Sequence, residues 1–199
     1  MGYQASMIFE NTVGKTGTKI PFGIHTNCEV TSVEVGENFV DINFKDSENR
    51  THNKRLWDAN GNYPRKDKDG NFTETKQQAI EREETQNLAH IVKLLHIYLG
   101  DEGISKFPAL EYEEFIEKAI KVLTPKLASK KVNLKLIYDS EGMYSVFGNF
   151  PDYIEECVEG EEPRIKFTKW ELENRCSYKG GNESAEKSET HKNKLADLY

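Results

Sequence analysis

Apolar and polar positions alternate with a period of two over the first third of the chain. Ile20–Val35 carries the β-branched residues Ile24, Val30, Thr31, Val33 and Val35, and its inside/outside alternation slips between Val30 and Val33. Such a slip predicts a bulge in a long, bent strand. Gly36-Glu37-Asn38 reads as a turn. Phe39–Lys45 then alternates cleanly, with Val40, Ile42 and Phe44 on one face. Asp46–Asn49 makes the next turn and Arg50–Trp57 a third strand. The pattern is that of an antiparallel meander with one buried face.

Residues 58–75, DANGNYPRKDKDGNFTET, are full of turn residues and read as a loop. From Lys76 the period becomes helical. Ile80, Leu88, Ile91, Val92, Leu94, Leu95, Tyr98 and Leu99 form one stripe, which should stop at Gly100-Asp101. A second helix follows Pro108 on Leu110, Phe115, Ile116, Ala119, Ile120, Val122 and Leu123, and Pro125 ends or bends it. Strand character returns at Val132–Tyr138, then at Met143–Phe150 after a turn over Asp139–Gly142. A last strand is predicted over Arg164–Trp170. Residues 1–19 read as a flexible N-terminal arm, and 177–199, rich in Gly, Ser, Glu and Lys, as a disordered tail.

Three strands, a helical insertion at about 76–128, then two strands is the order of an OB-fold, a five-stranded barrel with helix between strands three and four. The expected fold is therefore mostly β, a five-stranded OB-fold-like barrel with two helices inserted between strands 3 and 4, over residues 20–176. An α+β sandwich is the structural rival.

Composition narrows the classes further. The 199 residues are 36% hydrophobic and 31% charged, which fits a domain with sizeable solvated stretches. No run of some eighteen apolar residues exists to span a membrane. The first residues, MGYQASMIFENTVGKTG, lack a basic start followed by an apolar run, so the reading is cytoplasmic rather than secreted. Cys28, Cys157 and Cys176 are an odd number without CxxC spacing, which fits a reduced compartment. Net charge is −7, an argument against nucleic acid, but the excess is uneven: residues 151–177 carry four basic side chains against eight acidic. Phosphate binding depends on where cations sit, not on the chain total.

Pro21-Phe-Gly-Ile-His-Thr-Asn-Cys-Glu-Val-Thr-Ser-Val-Glu-Val35, Phe39-Val-Asp-Ile-Asn-Phe44 and Asn53-Lys-Arg-Leu-Trp57 together resemble bacteriophage single-stranded DNA-binding proteins. The shared pattern is a Gly-(Ile/Val)-His start, a short hydrophobic strand ending in an acidic turn, and a third strand closing on Trp. It covers residues 20–57 and, more loosely, 131–150. The resemblance implies an OB-fold that coats exposed single strands during replication and recombination, without catalysis, metal or other cofactor, in the host cytoplasm. It also implies a C-terminal tip that recruits replication or recombination proteins. Asp197-Leu198-Tyr199 matches such a tip, although the tail before it is charge-balanced instead of acidic.

The residues read by themselves meet this expectation at several points. With Val40, Ile42 and Phe44 inside, Phe39, Asp41, Asn43 and Lys45 point outward. Leu56 inside leaves Asn53, Arg55 and Trp57 outside. The outer surface of strands two and three is where an OB-fold lays a single strand. Phe39 and Trp57 are then stacking platforms, Arg55 stacks or pairs with phosphate, and Lys45, Arg50 and Lys54 supply charge. In the second hairpin Lys131 and Lys135 face away from Val132, Leu134 and Leu136. Tyr144 or Phe147 lies on the groove side according to register, and the other serves the core. The bland alternatives are core packing for the aromatics and a solvated sheet edge for Arg50–Arg55.

Other constellations do not hold together. Lys66-Asp-Lys-Asp-Gly70 is off by one from a nucleotidyltransferase lysine motif and lacks the closing Glu of a calcium loop. His25 and Cys28 have no further ligands nearby, and Gly14-Lys-Thr-Gly17 lacks P-loop spacing. An enzyme is not expected. Two function classes remain: a single-strand binder, and a phage structural or assembly protein using an OB-like barrel for protein contacts, including self-association.

Overall fold

In the computed structural model, which describes residues 19–108 and 110–179, the long first strand serves two sets of neighbours. β1 (Gly23–Val35) pairs through Glu29–Val35 with β2 (Phe39–Lys45) and through Gly23–Cys28 with β4 (Val132–Tyr138). Its register shifts between Val30 and Ser32, at the expected bulge, and again between His25 and Cys28, where Asn27 takes a left-handed φ of 57°. These irregularities bend the strand so that one chain can belong to both halves of the sheet.

β2 pairs with β3 (Thr51–Trp57) in full register. On the other side of β4 the chain returns as β5 (Ser145–Phe147) and β6 (Ile154–Glu156), both antiparallel to β4. The result is a six-stranded antiparallel sheet of order β3-β2-β1-β4-β5, with β6 also on β4. Between β3 and β4 lie α1 (Lys76–Ser105) and α2 (Tyr112–Leu123). Thr75 and Gln78 cap α1 reciprocally. Gly100, at φ 68° and ψ 179°, breaks the helix where the stripe was expected to stop, and one further turn follows. The apolar stripes join the sheet in one core, with Ile91, Leu94, Leu95, Ile116, Ala119 and Leu123 buried beside Ile42, Phe44, Leu134 and Leu136.

The sheet does not close into a barrel. β5 is three residues long, because Met143 and Tyr144 belong to a turn held by Asp139, and Pro151 opens a short 3-10 turn. No backbone ladder joins β3 to β5. Instead, the seam is crossed by side chains: His52 Nε2 lies 2.8 Å from Ser145 O, and Lys54 Nζ donates to Gly148 O at 2.9 Å. Lys19 and the buried Ile20 fill the remaining gap. Lys19 bridges Thr51, Ile20 N donates to Thr51 O at 3.2 Å, and Ser145 Oγ donates to Ile20 O at 2.8 Å.

The strand expected over Arg164–Trp170 is absent. Its end is α3 (Lys169–Asn174), started by a capping box between Thr168 and Glu171 that a strand reading of the apolar residues overlooked. This C-terminal segment covers the second face of β4: Phe22 stacks between Tyr138 and Phe167, and Tyr138 N donates to Arg175 O. β4 is accordingly buried from Val132 to Ile137, on both faces. Residues 1–18 of the expected arm, and 180–199 of the expected tail with Asp197, Leu198 and Tyr199, lie outside the described residues. Among the described residues no helix is long and apolar enough to cross a membrane.

Candidate nucleic-acid interface

The β2–β3 register sets Phe39 opposite Trp57, Asp41 opposite Arg55, Asn43 opposite Asn53 and Lys45 opposite Thr51. Because side chains alternate with a period of two, these pairs share one face, and Val40, Leu56, Ile42 and Phe44 share the other. The outer face is organised around Arg55. Its Nε and Nη2 donate to the two carboxylate oxygens of Asp41, at 2.8 and 2.6 Å. Asn53 adds a third donor to the same carboxylate. Hydrogen bonding from Arg55 holds the Asp41 carboxyl below the usual range and raises the guanidinium in turn.

Held flat in this way, the guanidinium lies 3.8 Å from the Phe39 ring centroid and 5.2 Å from that of Trp57. Phe39 and Trp57 meet edge to face at 5.8 Å. The tip of the Phe39 ring abuts Gly36, where a Cβ would come within 2.4 Å of it. Phe39 is thus enclosed between a glycine and an arginine, while Trp57 remains 62% exposed. The carbonyl of Trp57 is fixed by Asn87 Nδ2 at 2.8 Å. Farther along the face, Asn43 donates to Ser32 and Ser32 to Glu34, a polar surface without free lysines.

The other expected contacts fare unequally. Lys45 and Lys131 both pair with Glu29, so two cations share one carboxylate and the group keeps one net positive charge. Arg50 is engaged by Asp46 at 2.6 Å and Glu48 at 3.0 Å and locks the β2–β3 turn. Lys54 is opposite Ile42, on the inner face, and burial lowers its pKa; an outward phosphate contact does not fit that placement. Lys135 is 1% exposed. It spends its three N–H donors on Asp152, Glu171 and Lys166 O, under a segment that alternation along β4 could not foresee. Phe147 is a core residue, packed on Phe44 and Tyr153 at 4.8 Å each, because its strand pairs it with Leu136. Tyr144 is the exposed member of that hairpin, with Lys19 Nζ 5.9 Å from its ring.

Cys28 and Cys176 are free, and burial pushes their thiols up to about 12 and 11, so neither is a nucleophile at neutral pH. His90 is buried: its Nε2 donates to Asn149 O, and Nδ1 faces the Tyr153 hydroxyl. His25 Nε2 lies 3.0 Å from Pro21 O at the start of β1.

A feature that alternation could not reveal lies beside β3. Tyr63 and Phe72, in the loop after Trp57, are exposed across a cleft of about 490 Å³. Its signal in the sequence is two aromatics bracketing Arg65, Lys66 and Lys68 in an otherwise polar turn. Comparison with protein-family models, curated proteins and solved structures finds no match to the chain.

Proposed function

We propose that this chain is a non-catalytic single-stranded DNA-binding protein that lays a strand on the outer face of β2–β3 and stacks a base on Trp57. One observation carries the reading: a large aromatic left 62% exposed at the end of an antiparallel pair, beside an arginine immobilised by Asp41 and Phe39. A side chain held in place by neighbours loses little further entropy on binding. The exposed ring accepts any base, because every base has a π-face. The division of β1 between β2 and β4 supports reading the sheet as an opened OB-like barrel, whose β3–β5 seam is bridged by His52, Lys54, Lys19 and Ile20. The resemblance to bacteriophage single-stranded DNA-binding proteins adds a role in replication or recombination in the host cytoplasm.

Arg55 is committed to Asp41 and the Lys45–Lys131 pair to Glu29, so binding on this face depends on stacking more than on counterion release. Fluorescence polarisation with labelled oligo(dT) at two salt concentrations tests the proposal. Saturable binding is expected, and Trp57→Ala should weaken it by about 1–3 kcal/mol while the melt stays that of the parent. Absence of saturable binding at micromolar protein and low salt overturns it. The charge balance of the face favours one second reading, a phage structural or assembly protein that uses the same exposed Trp57 against another protein or a second copy. A chain that binds no oligonucleotide, and whose mass in solution falls on Trp57→Ala, establishes that reading instead.

A further inference from the structure

We propose that the loop between β3 and α1 is a second nucleotide subsite, in which a base stacks against Tyr63 or Phe72 and the adjoining phosphates meet Lys66 and Lys68. The proposal rests on the single-strand reading above and adds to it a site and a division of labour. Tyr63 and Phe72 are 78% and 64% exposed, as open to water as Trp57. They flank the cleft of about 490 Å³, whose remaining lining is Gly61, Asn62, Pro64 and Lys66. No carboxylate lines it. A cleft with two aromatic walls and a lysine suits a flat ligand that carries negative charge.

The aromatics are exposed on a braced loop. Backbone N–H groups of Asn60 and Gly61 donate to Glu83 at 3.2 and 3.1 Å. Gly61 comes so close to α1 that a Cβ there would lie 2.6 Å from Lys76 O, and its φ of 64° suits glycine. Arg82 donates to Tyr63 O at 2.9 Å and pairs with Glu74, which also receives Arg65 N. Beyond Tyr63 the chain forms a small hairpin, with Lys66 bridged to Phe72 and Asp67 N bonded to Asn71 O. A pre-built aromatic cleft binds without the cost of ordering a loop.

The charge of this loop differs from that of the sheet face. Arg65, Lys66 and Lys68 fall within four positions, and none of them joins an ion pair among the described residues, although Arg65 feels Glu74 at longer range. Lys66 Nζ lies 4.6 Å from the Phe72 centroid, over one face of the ring. Of the two acids in the hairpin, Asp67 is exposed and shapes the turn: its carboxylate accepts Asp69 N, Asn71 N and Asn71 Nδ2, and these bonds lower its pKa and keep it charged. Asp67 and Asp69 are both counter-charges within the hairpin, but neither lies within ion-pair distance of Lys66 or Lys68 among the described residues. On the sheet face Arg55 is tied to Asp41 and the Lys45–Lys131 pair to Glu29, whereas Lys66 and Lys68 join no ion pair among the described residues and can turn to phosphate.

The loop that carries the cleft follows directly on Trp57 and is fastened along the same helix. Trp57 O is held by Asn87, Asn60 and Gly61 by Glu83, and Tyr63 O by Arg82, so the loop descends α1 alongside five residues of helix, about 7.5 Å of rise.

The test titrates labelled oligo(dT) against the full chain, Trp57→Ala, Tyr63→Ala/Phe72→Ala and Lys66→Ala/Lys68→Ala, each at several salt concentrations with a thermal melt. The aromatic pair should weaken binding about 5- to 150-fold, the equivalent of one lost base stack, with the salt slope unchanged. The lysine pair should lower the salt slope by about 1.4, at about 0.7 for each single-strand phosphate. Melts should match the parent, since the four side chains are exposed. Ultraviolet cross-linking of the unmodified chain to oligo(dT), mapped by mass spectrometry, should label Tyr63 or Phe72 and needs no variant to fold. Loop variants that bind like the parent while Trp57→Ala weakens, with no cross-link in 61–72, overturn this subsite and leave the sheet reading standing. Loss on the loop variants alone moves the site off the sheet. A parent that binds no oligonucleotide overturns both.

Discussion

Two cation–carboxylate clusters in this molecule use the same chemistry in opposite surroundings. On the outer face of the sheet, Arg55, 37% of whose side chain is exposed, meets Asp41, 13% exposed, at 2.6 Å. Behind β4, Lys135 meets Asp152 at 2.8 Å and Glu171 at 2.9 Å with 1% exposed. A pair with one partner open to water contributes less to stability, because water solvates that partner and salt screens it. Buried pairs owe their importance to desolvation: once the charges are out of water, removing one strands the other. The outer cluster therefore shapes a surface, by laying a guanidinium against Phe39 and beside Trp57. The inner cluster clamps the C-terminal segment to the sheet, because Glu171 also receives Thr168 N at the start of α3.

The sharpest way to break this contrast is at Lys135. Lys135→Met keeps most of the apolar stem but leaves the Glu171 carboxylate buried without its cation, and about 3–5 kcal/mol of stability should go. Pairing it with Glu171→Gln, which preserves the helix cap, should recover much of the loss in a denaturant double-mutant cycle. Additive losses at the two sites would mean that they do not act as a clamp.

Next in size is an effect of pH on the core at the other face of the sheet, where His90 meets Tyr153 and Asn149. Burial, reinforced by Lys54, drops the His90 pKa to about 4, and burial lowers His25 and His52 as well. Unfolded histidines bind protons below about 6.5 whereas folded His90 does not until about 4. Its contribution is thus fully present above pH 6.5 and is lost as pH falls through that window, about 3 kcal/mol in total. Denaturant midpoints measured from pH 7.5 to 4 check the sign. His90→Gln, which can still donate to Asn149 O, should flatten the profile, and an unchanged slope would assign the pH dependence to other groups.

The smallest effect is expected at the outer cluster. Arg55→Ala should lower the melt, though by less than Lys135→Met, because it leaves the largely covered Asp41 without its cation, and should leave the salt slope of oligo(dT) binding unchanged, since Asp41 already neutralises this arginine. It should nonetheless weaken binding modestly, by loosening the support beside Trp57. A fall in salt slope would mean that Arg55 leaves Asp41 for phosphate, and that the two clusters differ less than their burial indicates.

Much of the architecture was legible in short-range pattern. The bulge in β1, the β2 and β3 alternation, the outward placement of Trp57 and the break at Gly100 all follow from residues within a few positions of one another. The capping box at Thr168 was equally local, and the apolar residues around it pointed to a strand instead. At the candidate site the β2–β3 face was legible, but the commitment of its cations was not. Lys45 and Lys131 find Glu29 from different strands, and Arg55 finds Asp41 across a turn. The aromatic cleft escaped because loops carry no periodicity from which exposure can be inferred.

Local sequence determined which segments became helix or strand and which of their faces was apolar, since propensity, capping and period act over a few residues. Tertiary structure decided whether the polar face of a strand meets water. Lys135 and Arg55 sit alike in alternating strands, but Lys135 is roofed by Glu171, 36 residues away, and Arg55 is not roofed. His52 and Lys54 reach carbonyls 93 and 94 residues away. Burial is a property of what packs over a side chain, and the covering elements lie far beyond any window in which alternation can be read.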